Sequence, residues 1–315
     1  MTSRFIEQNA LPGFDEENPS SQGFPSIQRG PDTIGNVVVS YTPAREVLTK
    51  ATGFMDAYDF TLNPYSGCSF GCTYCYAAFF SRDVERRDSW GKWVNVKDNA
   101  VELLRKRKRG TLDGKLIYMS SVTDPYQPVE RQLELTRGIL QTMADRGDKP
   151  KLVVQTRSPD VVRDCDLYRR IADNGGQVQV NMTVTTDDED VRRTFEPHCP
   201  ANPRRLDAIT EVQSAGVEAC ITMTPLLLVS SPYAFADSLL DTGVQKFIAQ
   251  PFHFKRGKFL AGTRDGAFDL MAEKLGCVRS SFQDEYMEHY QMVFGVLQDT
   301  LPQLGEGKSG FEPPF

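Results

Sequence analysis

The chain has 315 residues, 40% of them hydrophobic and 25% charged, with a formal net charge of −6. This is the composition of a soluble globular protein long enough for one large domain or barrel, and the acidic balance gives no support to nonspecific attraction for a polyanion, so nucleic acid as a partner is left open but unsupported by charge. No run of about 18 apolar residues appears, Met1–Glu7 lacks the apolar core of a signal peptide, and the odd number of cysteines, seven, fits a reducing compartment better than a disulfide framework; a cytoplasmic protein with no membrane segment is expected.

In chain order, residues 1–35 carry turn formers and little periodicity and read as an extended or mobile arm. A strand is predicted at Val37–Tyr41. From Asp59 onward, apolar β-rich runs alternate with helical patterns, the signature of parallel βα units. Strands are predicted at 59–64, 115–120, 151–156, 177–185, 218–224 and 245–251, a set that suits an α/β fold of partial TIM-like (β/α)6 barrel type. Between them, a helix beginning near Val96 ends in the cationic run Arg105–Arg109, whose charges complement the helix dipole ahead of Gly110; this reading is preferred over a phosphate patch. A helix opens at Pro128 and runs to Arg146–Gly147. Another is capped by Ser158 with Pro159 at its first position, and further helices fit 202–215, 232–240, 263–275 and 282–300, followed by a Gly/Pro-rich tail. The organisation is an arm (1–35), a barrel (36–275) and a C-terminal helix with tail (276–315).

The sharpest feature follows the first barrel strand: Cys68, Cys72 and Cys75 in Cys-Ser-Phe-Gly-Cys-Thr-Tyr-Cys, a C-x3-C-x2-C triplet. Gly67 and Gly71 permit a tight loop, and Tyr65, Phe70, Tyr74 and Tyr76 can shield it from water. A structural zinc or an electron-transfer [4Fe–4S] cluster takes four protein ligands, yet no fourth cysteine or histidine follows until Cys165. One iron of a cluster would stay open to chelate a small molecule. The competing readings are three buried apolar cysteines or an incomplete zinc site.

The triplet resembles that of the radical SAM superfamily. The order of later motifs, Ser120–Tyr126, Val154–Ser158, Thr183–Asp187, Phe195–His198, Pro203–Ala208, Ala215–Val217 and Thr224–Leu226, resembles the branch that includes spore photoproduct lyase. The resemblance implies a [4Fe–4S] cluster on Cys68, Cys72 and Cys75, S-adenosylmethionine (SAM) on the open iron, and an external one-electron donor such as flavodoxin or ferredoxin. It implies reductive cleavage of SAM to a 5′-deoxyadenosyl radical that takes hydrogen from a substrate it does not identify; the acidic balance favours a small molecule or a peptide over duplex DNA. Tyr74 resembles the aromatic whose backbone meets the adenine, and Tyr76 a tyrosine of the hydrogen-atom relay. Ser121, Thr123, Asp124 and Thr183 match positions contacting the methionine and ribose moieties. Arg157 stands where the lyases use a lysine on the SAM carboxylate; pairing with Asp160 is its ordinary alternative. Tyr126 and His253 are the candidates for substrate contact, His253 because it lies at a strand end on the barrel's open face. One departure is Ser121, where the lyases carry a hydrogen-donating cysteine. The alternatives are transfer of a 3-amino-3-carboxypropyl group from SAM, lyase-type repair of nucleic acid, and a noncatalytic iron–sulfur or zinc protein.

Overall fold

The computed structural model describes residues 29–255 and 262–315. Eight strands make the main sheet: β1 (Leu48–Lys50), β2 (Phe60–Leu62), β3 (Leu116–Met119), β4 (Lys151–Thr156), β5 (Gln177–Thr183), β6 (Glu218–Met223), β7 (Lys246–Ala249) and β8 (Gln303–Glu306). They lie side by side in chain order; β1 is antiparallel to β2 and every later pair is parallel. A sheet whose strands never reverse order winds one way, as barrels do. Its two ends, β1 and β8, do not pair, so the barrel is partial.

The period of two in β5 shows why it folds this way. Val178, Val180 and Met182 pack into the main hydrophobic core with the helices outside, whereas Gln179, Asn181 and Thr183 alternate with them on the opposite face. The outer layer is supplied by α1 (Ala100–Lys106), α2 (Leu135–Arg146), α3 (Cys165–Asp173), α4 (Glu189–Phe195), α5 (Asn202–Ser214), α6 (Pro232–Leu240), α7 (Asp265–Leu275) and α8 (Phe282–Thr300). No described helix is long and apolar enough to cross a membrane.

The six predicted barrel strands correspond to β2–β7. Four features differ from expectation. The helix predicted from Pro128 is two pieces, Glu130–Leu133 and α2, broken at Glu134, whose φ is 47°. The cause is Glu130, whose carboxylate turns back to accept from the Thr136 N–H at 2.9 Å and so caps α2. Helix α1 starts at Ala100 and not near Val96, because Trp93–Val96 is a strand of a second sheet with Thr33–Ile34, Val37–Tyr41 and Tyr65–Ser66. Helix α1 also stops at Lys106, short of the end of the cationic run, and the carbonyls at and just past its end are satisfied by Arg146, which donates to Leu104, Arg105 and Arg107 at 2.8–2.9 Å and to Lys108 at 3.2 Å. Finally, the tail does not stand apart from the barrel: β8 pairs with β7, and Phe311 and Phe315 pack beside Tyr58, Tyr118 and Val153 in the bore. Lys308 pairs with Asp56 at 2.7 Å, and the Phe54 and Phe311 rings meet edge to face at 5.6 Å. Residues 1–28 of the predicted arm lie outside the described residues.

Candidate functional site

After β2, the strand Tyr65–Ser66 pairs antiparallel with Trp93–Val96 and carries residues 67–75 across the end of the barrel where parallel strands finish. Two glycines make that path possible. At Gly67, with φ 77°, a Cβ would lie 2.5 Å from the Trp93 carbonyl oxygen and 2.6 Å from its ring; at Gly71, with φ 60°, it would lie 3.1 Å from the Gly91 Cα. Cys68 and Cys72 are buried and Cys75 half-buried. The loop is stitched by Gly71 N–H to the Cys68 carbonyl at 3.3 Å and Cys75 N–H to the Cys72 carbonyl at 3.1 Å.

The turn after β3 clamps this loop. Gln127 Oε1 accepts from the Ser69 backbone N–H at 2.9 Å and its hydroxyl at 3.3 Å, and Gln127 Nε2 donates to Thr123 Oγ1 at 3.2 Å. Thr123 in turn donates to the Gly67 carbonyl at 2.6 Å. Asn63 Oδ1 accepts from Val122 N–H at 3.2 Å and its amide nitrogen meets Ser121 Oγ at 3.4 Å. The Tyr76 hydroxyl donates to the Ser121 carbonyl, which brings these two predicted residues together.

On the other flank stands Glu196, fully buried. Its Oε1 accepts from Tyr74 Oη at 2.5 Å, Arg157 Nη1 at 2.9 Å and Thr185 Oγ1 at 2.9 Å, while Oε2 accepts from Arg205 Nη2 at 2.6 Å. Burial alone would raise this carboxyl, but the guanidiniums of Arg205 and Arg157 hold it down at about 2. Arg157 also donates to Tyr74 Oη at 2.7 Å, so it meets the cysteine loop and not Asp160, which is taken by Arg131 at 2.5 Å.

The three thiols are electrostatically unequal. Burial, with Asp124 adding to it, pushes Cys68 well up, and burial pushes Cys75 up to about 12. Cys72 is lowered, first by a contact with Cys199 and then by Arg157 and Arg205. Thiolates are what bind metal, so a cluster on this loop would have to displace protons from Cys68 and Cys75. The donor set, three thiols on one glycine-hinged and largely buried loop, fits an iron–sulfur cluster. No three His, Cys, Asp or Glu side chains among the described residues are gathered as one bound metal ion would hold them.

Other predicted residues are placed differently. Tyr126 is fully buried, its hydroxyl donating to Asp164 Oδ2 at 2.9 Å and touching the Tyr168 hydroxyl, so it faces the core and not a substrate. Asp124 is an internal brace: its oxygens accept from Tyr126 N–H, Thr156 Oγ1 and Arg157 N–H at 2.8–2.9 Å, tying the end of β3 to the end of β4. Thr183 lies on the bore wall, where Tyr118 donates to Gln155 at 2.7 Å and Gln155 donates to Thr183 at 2.8 Å and Thr222 at 3.0 Å. His253 is exposed beyond the end of β7, its ring edge-on to Phe54 at 6.2 Å and its Nε2 against the Gln250 amide. Gln127, Glu196 and Arg205 were not singled out from sequence. Apart from Thr123, four residues from Gln127, their partners in the site lie 9 to 122 residues away, so local pattern does not mark them.

A seven-strand parallel run with a three-thiol loop after its first parallel strand defines a class, and comparison with known proteins agrees. The family model of the Radical SAM superfamily matches residues 62–232, and the chain belongs to that superfamily. Its members are enzymes that use a [4Fe–4S] cluster and SAM together with an external electron donor. An uncharacterized protein of Methanocaldococcus jannaschii is 33% identical over 168 residues, which is 53% of this chain and 60% of that protein. One of Mycobacterium tuberculosis is 30% identical over 175 residues, 54% of this chain and 50% of that protein. The chain thus spans only part of the length of these relatives. Among solved structures, spore photoproduct lyase complexed with dinucleoside spore photoproduct aligns with TM-score 0.56 at 13% identity, covering 85% of this chain and 81% of that one. A lyase variant with bound AdoMet and the dinucleoside aligns with TM-score 0.57 at 13% identity over the same shares. Identity this low indicates a shared fold.

Proposed function

We propose that Cys68, Cys72 and Cys75 hold a [4Fe–4S] cluster with one iron open to SAM, and that the protein turns SAM into a hydrogen-abstracting radical at the barrel mouth. A cluster held by these cysteines would supply the one electron needed for reductive cleavage of a C–S bond of SAM, and so the radical chemistry by which hydrogen would be taken from substrate. The observation carrying this reading is the loop itself: three thiols, braced by Gln127 and Thr123 on one flank and by Glu196 through Tyr74 on the other, set over the strand ends where barrel enzymes keep their chemistry.

The chain's own residues bind and orient. Arg157, anchored through one nitrogen to Glu196 and Tyr74, keeps the rest of its fork for a carboxylate, which suits the methionyl end of SAM. Tyr74 contributes its ring and adjacent backbone to the adenine, Thr123 and Thr183 position the cofactor, and Asp124 acts by fixing the Arg157 backbone. Tyr76 lies against Ser121 at the mouth and is placed to pass a hydrogen atom, and His253 borders the space for substrate. Ser121 supplies an alcohol where the lyases supply a thiol, and an alcohol O–H bond is too strong to quench a carbon radical readily. Ser121 thus speaks against repair of the spore lesion, and the net charge of −6 favours a small molecule or peptide as the substrate.

The test is anaerobic incubation of the reconstituted, reduced protein with SAM and dinucleoside spore photoproduct, with products identified by mass spectrometry. The expected result is 5′-deoxyadenosine without thymine release. Multiple-turnover repair would overturn the assignment of substrate, and a 3-amino-3-carboxypropyl fragment would overturn the bond assigned.

A further inference from the structure

Cys199 belongs to none of the roles above, yet its sulfur lies 3.6 Å from that of Cys72, and the two residues are 7% and 4% exposed. Both are held from behind. The Cys199 N–H donates to the Glu196 carbonyl at 3.1 Å. The Cys199 carbonyl accepts from Arg192 Nη1 at 2.9 Å, and the same nitrogen grips the Glu196 carbonyl at 3.0 Å. Thr73, the neighbour of Cys72, donates its N–H to the Phe195 carbonyl at 2.9 Å. Segments 72–73 and 195–199 are thus fastened to each other by backbone bonds that do not depend on either sulfur.

A cysteine that ligates iron is a thiolate and has no proton to give. Of the two sulfurs, only Cys199 can then donate. Hydrogen bonds to ligating sulfurs withdraw electron density from the cluster and favour its reduced, more negative form. Cys199 does not suit the open iron, because ligands of different irons point away from one another, whereas this sulfur sits against a ligand already assigned.

Resting on the reading of Cys72 as a cluster ligand, we propose that Cys199 is a positioning residue whose S–H donates to the Cys72 thiolate and raises the reduction potential of the cluster, easing the entry of the electron that SAM cleavage consumes.

The experiment compares wild type, Cys199→Ala and Cys199→Ser, reconstituted anaerobically, by iron and sulfide content and by a redox titration followed by electron paramagnetic resonance without SAM. The expected result is full iron in all three, with the reduction equilibrium of Cys199→Ala shifted about tenfold toward the oxidised cluster, which is ~59 mV for one electron. Cys199→Ser, which restores a donor, recovers part of the shift. Equal potentials in all three proteins overturn the proposal, and so does loss of iron in both variants, which would make Cys199 a ligand itself. A wild-type protein that takes up no cluster overturns the functional reading and this inference with it.

Discussion

Arg205 Nη2 and Glu196 Oε2 lie 2.6 Å apart, and neither side chain is exposed. Taking two ions out of water costs several kcal/mol each, recovered only if every remaining lone pair finds a donor. Glu196 meets that condition with Tyr74, Arg157 and Thr185 on its other oxygen. Glu196→Gln leaves two guanidiniums without their counter-ion and is expected to destabilise the apo-protein by about 3–5 kcal/mol in urea unfolding. A loss below about 1 kcal/mol, the scale of an exposed ion pair, would show that the network is dispensable.

The same carboxylate predicts a pH dependence. Its folded value is depressed from the ordinary 4.5 to about 2, so its contribution is fully present above the ordinary value and drains away as pH falls toward the folded one. The contribution at stake is on the order of 3 kcal/mol. Unfolding measured across that acid window should show wild type losing more stability than Glu196→Gln. Parallel curves would contradict the assignment.

Gln127 is buried and bridges Ser69 to Thr123. Gln127→Leu keeps bulk but strands the Ser69 N–H, at an expected cost of about 1–3 kcal/mol. Iron retention after desalting should fall with it. Unaltered melting and iron content would remove Gln127 from the list of loop supports.

Cys68→Ala, Cys72→Ala and Cys75→Ala should each abolish the cluster, because two thiolates cannot retain it, whereas Cys165→Ala and Cys277→Ala should leave iron content unchanged. Iron and sulfide assays on the anaerobic proteins decide this. A full complement of iron in any of the first three variants is the contrary result.

Arg157→Ala should weaken SAM binding by about 1.5–3 kcal/mol, the worth of a charge-assisted hydrogen bond, while the cluster stays in place. Arg157→Lys should recover part of the loss. Calorimetry showing wild-type affinity in Arg157→Ala would reduce this residue to a strut for Glu196.

What could be read from the sequence was what local pattern encodes. Strands β2–β7 are legible because each carries a run of apolar residues between turn formers, and the cysteine loop because its spacing and glycines are contiguous. Strand β8 was hidden: Gln303-Leu304-Gly305-Glu306 has one apolar side chain, and it forms by adding to the edge of β7. Tyr126 was misplaced because a tyrosine in a strand-end motif looks like a site residue. Its hydroxyl partners, Asp164 and Tyr168, lie 38 and 42 residues on. Glu196 and Cys199 sat in or beside a quoted motif, but their roles depend on Arg157, Arg205 and Cys72, and such meetings are made by topology.

The tail in the bore imposes an order of events during synthesis. Lys308 meets Asp56 across a separation of 252 residues, and strand β8, paired with β7, leads directly to Phe311, whose ring meets Tyr118. Chains fold from the N-terminus as they emerge, at about 5–20 residues per second, so the cysteine loop and strands β1–β7 leave the ribosome several seconds before the segment that packs into the bore. For that interval Tyr58, Tyr118 and Val153 in the nascent bore lack the Phe311 and Phe315 rings that pack beside them in the finished fold.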